Sequence, residues 1–487
     1  MQFLRKIIFY ICAAVYVVIC PILILYAIGY IYEPGITGGG IVKAGLISLS
    51  TAPGGADVYV NDKLYAEKTP TLIRELLPND YDITLRLPGY DNWQKTVHVK
   101  EEKASVFDKV ILISSERKQK ETSIGNYENL ITLSGTDIVL LDGGKGLGSI
   151  NVYDTSNGKE WPLAEAESPF AKYTPVSFIT SENDDSFILH TSSEGEIKYL
   201  WIELNENNNT IKDITPFLKK DTSDVKWVQG DDSYIFSIQN GNLTRTDAES
   251  GAAYPEYVKG ARGYGLFGNE IYVLKSDNVL ERMNLNKGGL TVILDDPQVA
   301  DVVFKNEGKY RIKVLSQDTI LFLSSGGALS ANKLPYIFAD KGVLGVQPDD
   351  EKTRVLFWTH AKIGMIDLST EETENVEFEK GPALTWIYTG GNGIKQVFWV
   401  YDDSHMLFVD GKNVLLVSLD PEGDYDVKNI LTLKDGSDVL YSEKTGQLYF
   451  IPSEGSSLFS TEIVPETSVI QLSREQEEKK KEVDNGI

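Results

Sequence analysis

The chain has 487 residues, with 47 basic and 71 acidic side chains and hence a formal charge of −24; 42% of it is hydrophobic and 10% aromatic. That composition excludes a disordered or collagen-like polymer and supplies core material for about two to four domains. An acidic chain without a dense basic stripe also argues against a nucleic-acid partner, since phosphate backbones are bound by clustered Lys and Arg that release counterions.

A short tip, 1–6, reads as cytoplasmic. It is followed by an uncharged run of 26 residues from Ile7 to Tyr32. About 20 apolar residues cross the hydrocarbon core of a bilayer, so the run predicts one N-terminal transmembrane helix over 7–32, a signal anchor in contact with lipid. Pro21 would kink it, and Tyr26, Tyr30 and Tyr32 would sit at an interface. Arg5 and Lys6 precede the run, and only Glu33 and Lys43 follow closely. The positive-inside bias therefore predicts a single-pass protein of the cytoplasmic membrane, with its N-terminus inside and its bulk outside the cytoplasm. A cleaved signal peptide fits less well, because the run exceeds an ordinary h-region and offers only Ala27-Ile28-Gly29 for cleavage. Cys20 follows Val18-Ile19 and so lacks the small residue that precedes a lipidated cysteine. The other cysteine, Cys12, also lies in the run, leaving the remainder without a disulfide, a cysteine zinc site or a thiol nucleophile. A Gly-rich linker, 33–43, comes next.

Residues 44–114 alternate apolar and polar positions in bursts such as Leu46 to Ser50, Ala56 to Val60, Tyr81 to Leu85 and Thr96 to Val99. Period two with turn residues between bursts predicts antiparallel strands, with Asn61-Asp62, Pro78-Asn79-Asp80 and Pro88-Gly89 as turns. Trp93 and Tyr90 are expected in the core, and His98, between Val97 and Val99, on the solvent face. The segment Pro53-Gly54-Gly55-Ala56, the following Val58 to Asp62, the Thr69-Pro70 step and Gly89-Tyr90 before Trp93 together resemble the PEGA domain, a small β-sandwich-like module. Gly54 stands where that family has a glutamate. The resemblance implies an envelope-exposed spacer or interaction module without catalysis.

From 120 to 473 the chain is strand-rich and repetitive. One element is an apolar strand, an acidic turn and a second apolar strand, with turns at Asp184-Asp185-Ser186, Asp231-Asp232-Ser233, Asp349-Asp350-Glu351 and Asp402-Asp403-Ser404. A second element, an alternating strand before a polar turn, starts near 150, 198, 242, 279, 328, 362, 413 and 457, a mean spacing of about 44 residues. Repeats of about 40–45 residues holding four strands predict a β-propeller, here of seven or eight blades with eight favoured by the count. The copy near 328 is degenerate, and Ala383 to Gly390 is the candidate insertion. This region resembles the WD-repeat-like propellers of bacterial envelope proteins, such as those of the Tol type, but has no Gly-His … Trp-Asp pair. The acidic turns suit backbone capping better than calcium binding, since none has an Asp-x-Asp-x-Asp-Gly loop. A charged tail, 474–487, has no apolar periodicity and is expected to be disordered.

No Gly-x-Ser-x-Gly elbow occurs, and His98, His190, His360 and His405 are scattered without zinc spacing. Gly143-Gly144-Lys145-Gly146 lacks the strand-to-helix context of a phosphate loop. The expectation is a mainly β, non-enzymatic, membrane-anchored envelope protein with no catalytic, metal or cofactor-binding residues, binding a protein or cell-wall glycan. Trp386 is the leading candidate for a partner contact. The alternative is a propeller glycosidase or lyase acting on envelope polysaccharide, which needs convergent carboxylates, one with a raised pKa, at the channel mouth.

Overall fold

A computed structural model describes residues 30–465, apart from 34–39, 134, 181–185, 207, 219–221, 229–230, 306–307, 369–382 and 420–424, together with scattered residues between 9 and 24. The chain divides into two compact units, one built on 1–118 with 419–424 and 461–487, the other on 119–418 and 425–460.

The predicted transmembrane helix is overturned. Described residues between Phe9 and Ile24 are helical, but among the described residues no helix is long and apolar enough to cross a membrane. The tyrosines assigned to the interface show the local reason. Tyr30–Glu33 alternates aromatic and β-branched residues, which favour a pleated strand, and it pairs antiparallel with Gly40–Lys43, Tyr30 opposite Lys43 and Tyr32 opposite Ile41. The Lys43 ammonium lies 5.0 Å from the centre of the Tyr30 ring. Part of the expected linker, 33–43, is thus strand; Ile7 itself lies outside the described residues.

Beyond that strand pair, the small β unit has two sheets among the described residues. One carries Gly45–Ala52 between Thr71–Leu76, antiparallel to it, and Ala104–Ile111, parallel to it. The other has the order Lys63–Lys68, Asp57–Val60, Asn79–Arg86, Trp93–Val99. Ile47, Leu49, Val58, Ile83, Leu85 and Val97 fill the space between, and Trp93 meets Phe107 edge to face with centroids 5.7 Å apart. Asn61 and Asp62 both have positive φ, 48° and 62°, the two-residue hairpin turn their side chains tolerate. Pro78-Asn79-Asp80 is not a turn in the way expected: Asn79 already opens a strand.

The Pro53-Gly54-Gly55-Ala56 corner is clamped by one residue. The Thr69 hydroxyl accepts from the Ala56 amide at 3.0 Å and meets the Thr51 hydroxyl at 2.6 Å. The Gly55 amide donates to the Thr69 carbonyl at 2.7 Å, and the Thr69 amide to the Ala56 carbonyl at 3.0 Å. Gly55 has φ of +85°, which a side chain would strain, whereas a Cβ on Gly54 would meet only carbonyl oxygens at 3.8 and 3.9 Å.

The large unit contains eight four-stranded sheets among the described residues. Seven run consecutively, at 129–162, 174–213, 223–258, 261–294, 310–339, 345–389 and 394–432, here blades 1 to 7. Blade 8 combines Leu440–Ser442, Gln447–Phe450 and Leu458–Glu462 with Gln119–Ser123 as its outermost strand. Neighbouring blades share buried clusters: blades 1 and 2, 2 and 3, 3 and 4, 4 and 5, 5 and 6, and 8 and 1. Blades 6 to 8 are joined by hydrogen bonds such as Trp399 Nε1 to the Gln347 carbonyl and the Val439 amide to Gln396 Oε1, both 3.0 Å. The ring is therefore closed.

Third strands of the blades begin at Ile150, Glu196, Asn242, Leu280, Leu329, Lys362, Asn413 and Leu458, close to the repeat starts read from the sequence. The weak copy near 328 is the three-residue strand Leu329–Ala331 of a complete blade. Ala383–Thr389 is not an insertion but the outer strand of blade 6; the extra length falls between Asp367 and Ala383. The tail, 474–487, lies outside the described residues.

Thr69→Val keeps the shape of Thr69 but removes the hydroxyl that holds Ala56 and Thr51, and should cost about 1–3 kcal/mol in denaturant unfolding of the small unit. Gly54→Glu should stay within about 0.5 kcal/mol of the parent. A Thr69→Val variant as stable as the parent would remove the clamp from the explanation of this corner.

Candidate functional site

In blades 4 to 8 the innermost strand leads by a short turn into the second, so these turns share one end of the ring. At this end a cavity of about 550 Å³ is lined by residues of blades 1, 2, 6, 7 and 8. Its walls include Phe178, Trp358, Phe398 and Trp399, with Lys395, Gln347 and Tyr441 as polar neighbours. Asp137, Asp350, Asp402, Asp403 and Glu443 also line it, leaving its formal charge strongly negative.

These carboxylates lace the blades. Asp349, whose side chain is 2% exposed, accepts from the amides of Thr353 and Arg354 at 2.8 and 2.9 Å and pairs with Arg354 Nε at 3.1 Å. Arg354 Nη2 then donates to the Asp403 carbonyl at 2.9 Å, and its guanidinium lies 4.8 Å from the Trp399 ring centre. Asp403 of blade 7 accepts from the Asp350 amide of blade 6 at 3.0 Å. Glu443 of blade 8 accepts from the Tyr401 and Asp402 amides of blade 7 at 3.1 and 2.8 Å. Ser442 Oγ donates to Asp137 of blade 1 at 3.1 Å. An acid of one blade thus caps the turn of the preceding blade.

That capping holds an uncommon backbone. Tyr401, Asp402 and Asp403 are three successive residues with φ of 55°, 50° and 58°. Left-handed conformation is costly for side-chain-bearing residues and persists where surrounding bonds fix it. Burial raises the Asp403 carboxyl above its ordinary pKa, and the charges of Asp350 and Asp349 add to this. Glu443 reaches solvent at the rim, yet partial burial also raises it, with Asp402 contributing. Burial and Glu443 raise the Tyr441 phenol, which stays neutral.

Trp386 stands elsewhere, on the outer strand of blade 6. It is 43% exposed, edge to face with Phe357 at 5.5 Å and under the Lys362 ammonium at 5.3 Å. Trp227 is 2% exposed and packs on Trp201 at 5.0 Å. Sequence alone does not sort Trp227, Trp358 and Trp399 into buried and exposed; Trp358 and Trp399 are cavity walls. A usable signal was Phe398-Trp399 shortly before Asp402-Asp403, on the strand that enters an acidic turn. The Asp184-Asp185 turn lies outside the described residues, as do the side chains of Asp231 and Asp232. No group of three His, Cys, Asp or Glu poised to hold a metal occurs among the described residues. His98, on the solvent face, pairs with Asp80.

Residues 44–113 match the PEGA domain. No curated protein matches the chain. Among solved structures it is similar to Hsv2 of Kluyveromyces lactis (complete loop 6CD), at 8% identity over 63% of this chain and 98% of that one, with a TM-score of 0.41. It is also similar to the Cps50 (Swd1) beta-propeller domain of Myceliophteria thermophila, at 8% identity over 70% of this chain and 99% of that one, with a TM-score of 0.34.

Because the folded chain raises the Glu443 pKa above its ordinary 4.5, folding binds that proton more tightly, and stability falls as pH rises through the interval between the two values. Glu443→Gln lacks this titration. In urea unfolding followed across the acidic range, the parent should lose stability relative to Glu443→Gln as pH rises through that interval. A difference independent of pH would contradict the assigned shift.

Proposed function

We propose that the chain is a non-enzymatic interaction protein acting outside the cytoplasm, whose propeller receives a protein or cell-wall glycan at the acidic cavity. The PEGA domain serves as spacer and second interaction module. The observation that carries this reading is a cavity of about 550 Å³ walled by two tryptophans and carboxylates from several blades. Rigid rings present loops and inner strands as preformed recognition surfaces, and half-buried tryptophans are strong anchors in such sites. Placement outside the cytoplasm is supported by the lack of any cysteine after Cys20, which avoids unwanted disulfides under oxidising conditions.

Binding rather than catalysis is supported by how the carboxylates are used. Glu443 has both oxygens on backbone amides, and Asp403 caps its neighbour, so neither stands free as a general acid. A glycosidase or lyase remains the second reading on one observation, the raised pKa of two carboxyls at the mouth. Release of new sugar ends from isolated envelope polysaccharide, lost in Glu443→Gln, would favour it.

Binding of the purified chain to envelope fractions of its own cells tests the main reading. Trp399→Ala should weaken that binding at least about tenfold, and Asp402→Asn, which tolerates the left-handed backbone, should weaken it with an unchanged melting temperature. Parent-like binding by both variants would remove the cavity as the recognition site.

A further inference from the structure

The inner strand of blade 5, Tyr310–Val314, is built unlike the acidic wall of the mouth. Its Tyr310, Ile312 and Val314 are buried in the cluster that joins blades 4 and 5. Alternation therefore turns Arg311 and Lys313 to the opposite face, toward blade 6, where Arg311 Nη2 donates to the Leu344 carbonyl at 2.9 Å. The strand carries these two cations and no acid, in a chain of net charge −24. The second strand of the blade, Ile320–Ser324, has no charged residue.

A third cation arrives from blade 6. Lys352, in the turn after Gly345–Pro348, has φ of 59°, and its ammonium lies 5.1 Å from the ring centre of Phe267 at the end of the inner strand of blade 4. It thus reaches over blade 5 from one neighbour to the other. Lys313 is half-buried, and burial together with the Lys352 charge lowers its pKa from 10.5 to about 8. The acids of the blade 6 turn face other partners: Asp349 is bonded to Thr353 and Arg354, and Asp350 lines the acidic cavity with Asp403. Desolvation and a neighbouring like charge both disfavour the Lys313 ammonium, and an anion placed between the two lysines would offset both.

We propose that Arg311, Lys313 and Lys352 form a site for a phosphate dianion, on a part of the channel wall that the acidic cavity leaves out. Residues two apart on a strand lie about 6.6 Å apart along it, so a long arginine and a long lysine can converge on one anion. The guanidinium fork matches two oxyanion oxygens, and the ammonium groups act as point charges. Three cations suit a dianion better than a carboxylate, which brings a single charge. The dianion could be free phosphate or a phosphate monoester borne by a larger ligand, and the two share this chemistry.

Isothermal titration of the full chain at pH 8 with inorganic phosphate and with glycerol 3-phosphate tests the site. At least one dianion should bind with a Kd of about 1 mM or tighter, and acetate at least about tenfold more weakly. Tighter binding of inorganic phosphate assigns the free ion; tighter binding of glycerol 3-phosphate assigns a monoester. A dianion beside Lys313 raises its pKa, so binding at pH 8 should take up a fraction of a proton, read from the heats in two buffers of different ionisation enthalpy. Lys313→Met should weaken binding at least about tenfold and melt no lower than the parent, because it removes a half-buried charge. Lys313→Arg should bind with less proton uptake than the parent, and Lys259→Gln, at an exposed lysine between blades 3 and 4, should bind like the parent. The proposal fails if neither dianion binds, if Lys313→Met binds like the parent, or if proton uptake is the same in the parent and in Lys313→Arg.

Discussion

Everything in the large unit depends on one long-range pairing, that of Gln119–Ser123 with Leu458–Glu462. It supplies the fourth strand of blade 8 from the opposite end of the propeller sequence. The Thr122 hydroxyl donates to the Leu458 carbonyl at 3.1 Å, and Ser123 and Tyr127 both donate to Glu160 of blade 1. Leu458 is fully buried with Tyr127, Tyr153 and Tyr449 in the cluster that joins blades 8 and 1. Without that closure, blades 8 and 1 would expose faces that are apolar only because a neighbour covers them.

A closed ring brings the inner turns to one mouth and makes the acidic turns intelligible. A net charge of −24 says little about fold. Much of the acidity at the mouth is hydrogen-bonded to the turn of the neighbouring blade, as Asp403 is to Asp350 and Glu443 is to Tyr401 and Asp402. Those bonds hold three consecutive residues in the left-handed region. Burial raises the pKa values of Asp403 and Glu443, because leaving water disfavours the charged form, while the backbone bonds they accept pull the other way.

Much of the fold was legible because the relevant signals are local. Alternation along Ile150 to Asp154 or Asn413 to Ser418 marks a strand wherever it lies, and repeating it at blade spacing marks a propeller. The PEGA corner could be read because its turn and the distant Thr69-Pro70 step are both written as residues. The transmembrane expectation failed because hydropathy counts apolar residues without asking whether Tyr30-Ile31-Tyr32 prefers helix or strand, and a partner at Gly40–Lys43 decided for the strand. Ala383 was mistaken for an insertion because spacing shows that a repeat is long, not which segment lengthens it. The cavity was the least legible feature. Phe178, Trp358 and Trp399 sit on three blades, and only ring closure brings them to one wall.

Recognition at the mouth differs physically from recognition at the outer edges. The mouth offers aromatic faces and fixed charges, whereas an outer strand offers main chain. Site-specific photo-crosslinking in the native cells separates the two most directly, with a diazirine side chain placed either at Gln347, exposed on the inner strand of blade 6, or at Val427 on the outer strand of blade 7. Recognition at the mouth predicts a discrete adduct from Gln347, abolished by Trp399→Ala, and none from Val427. Adducts from Val427 with none from Gln347 would contradict it.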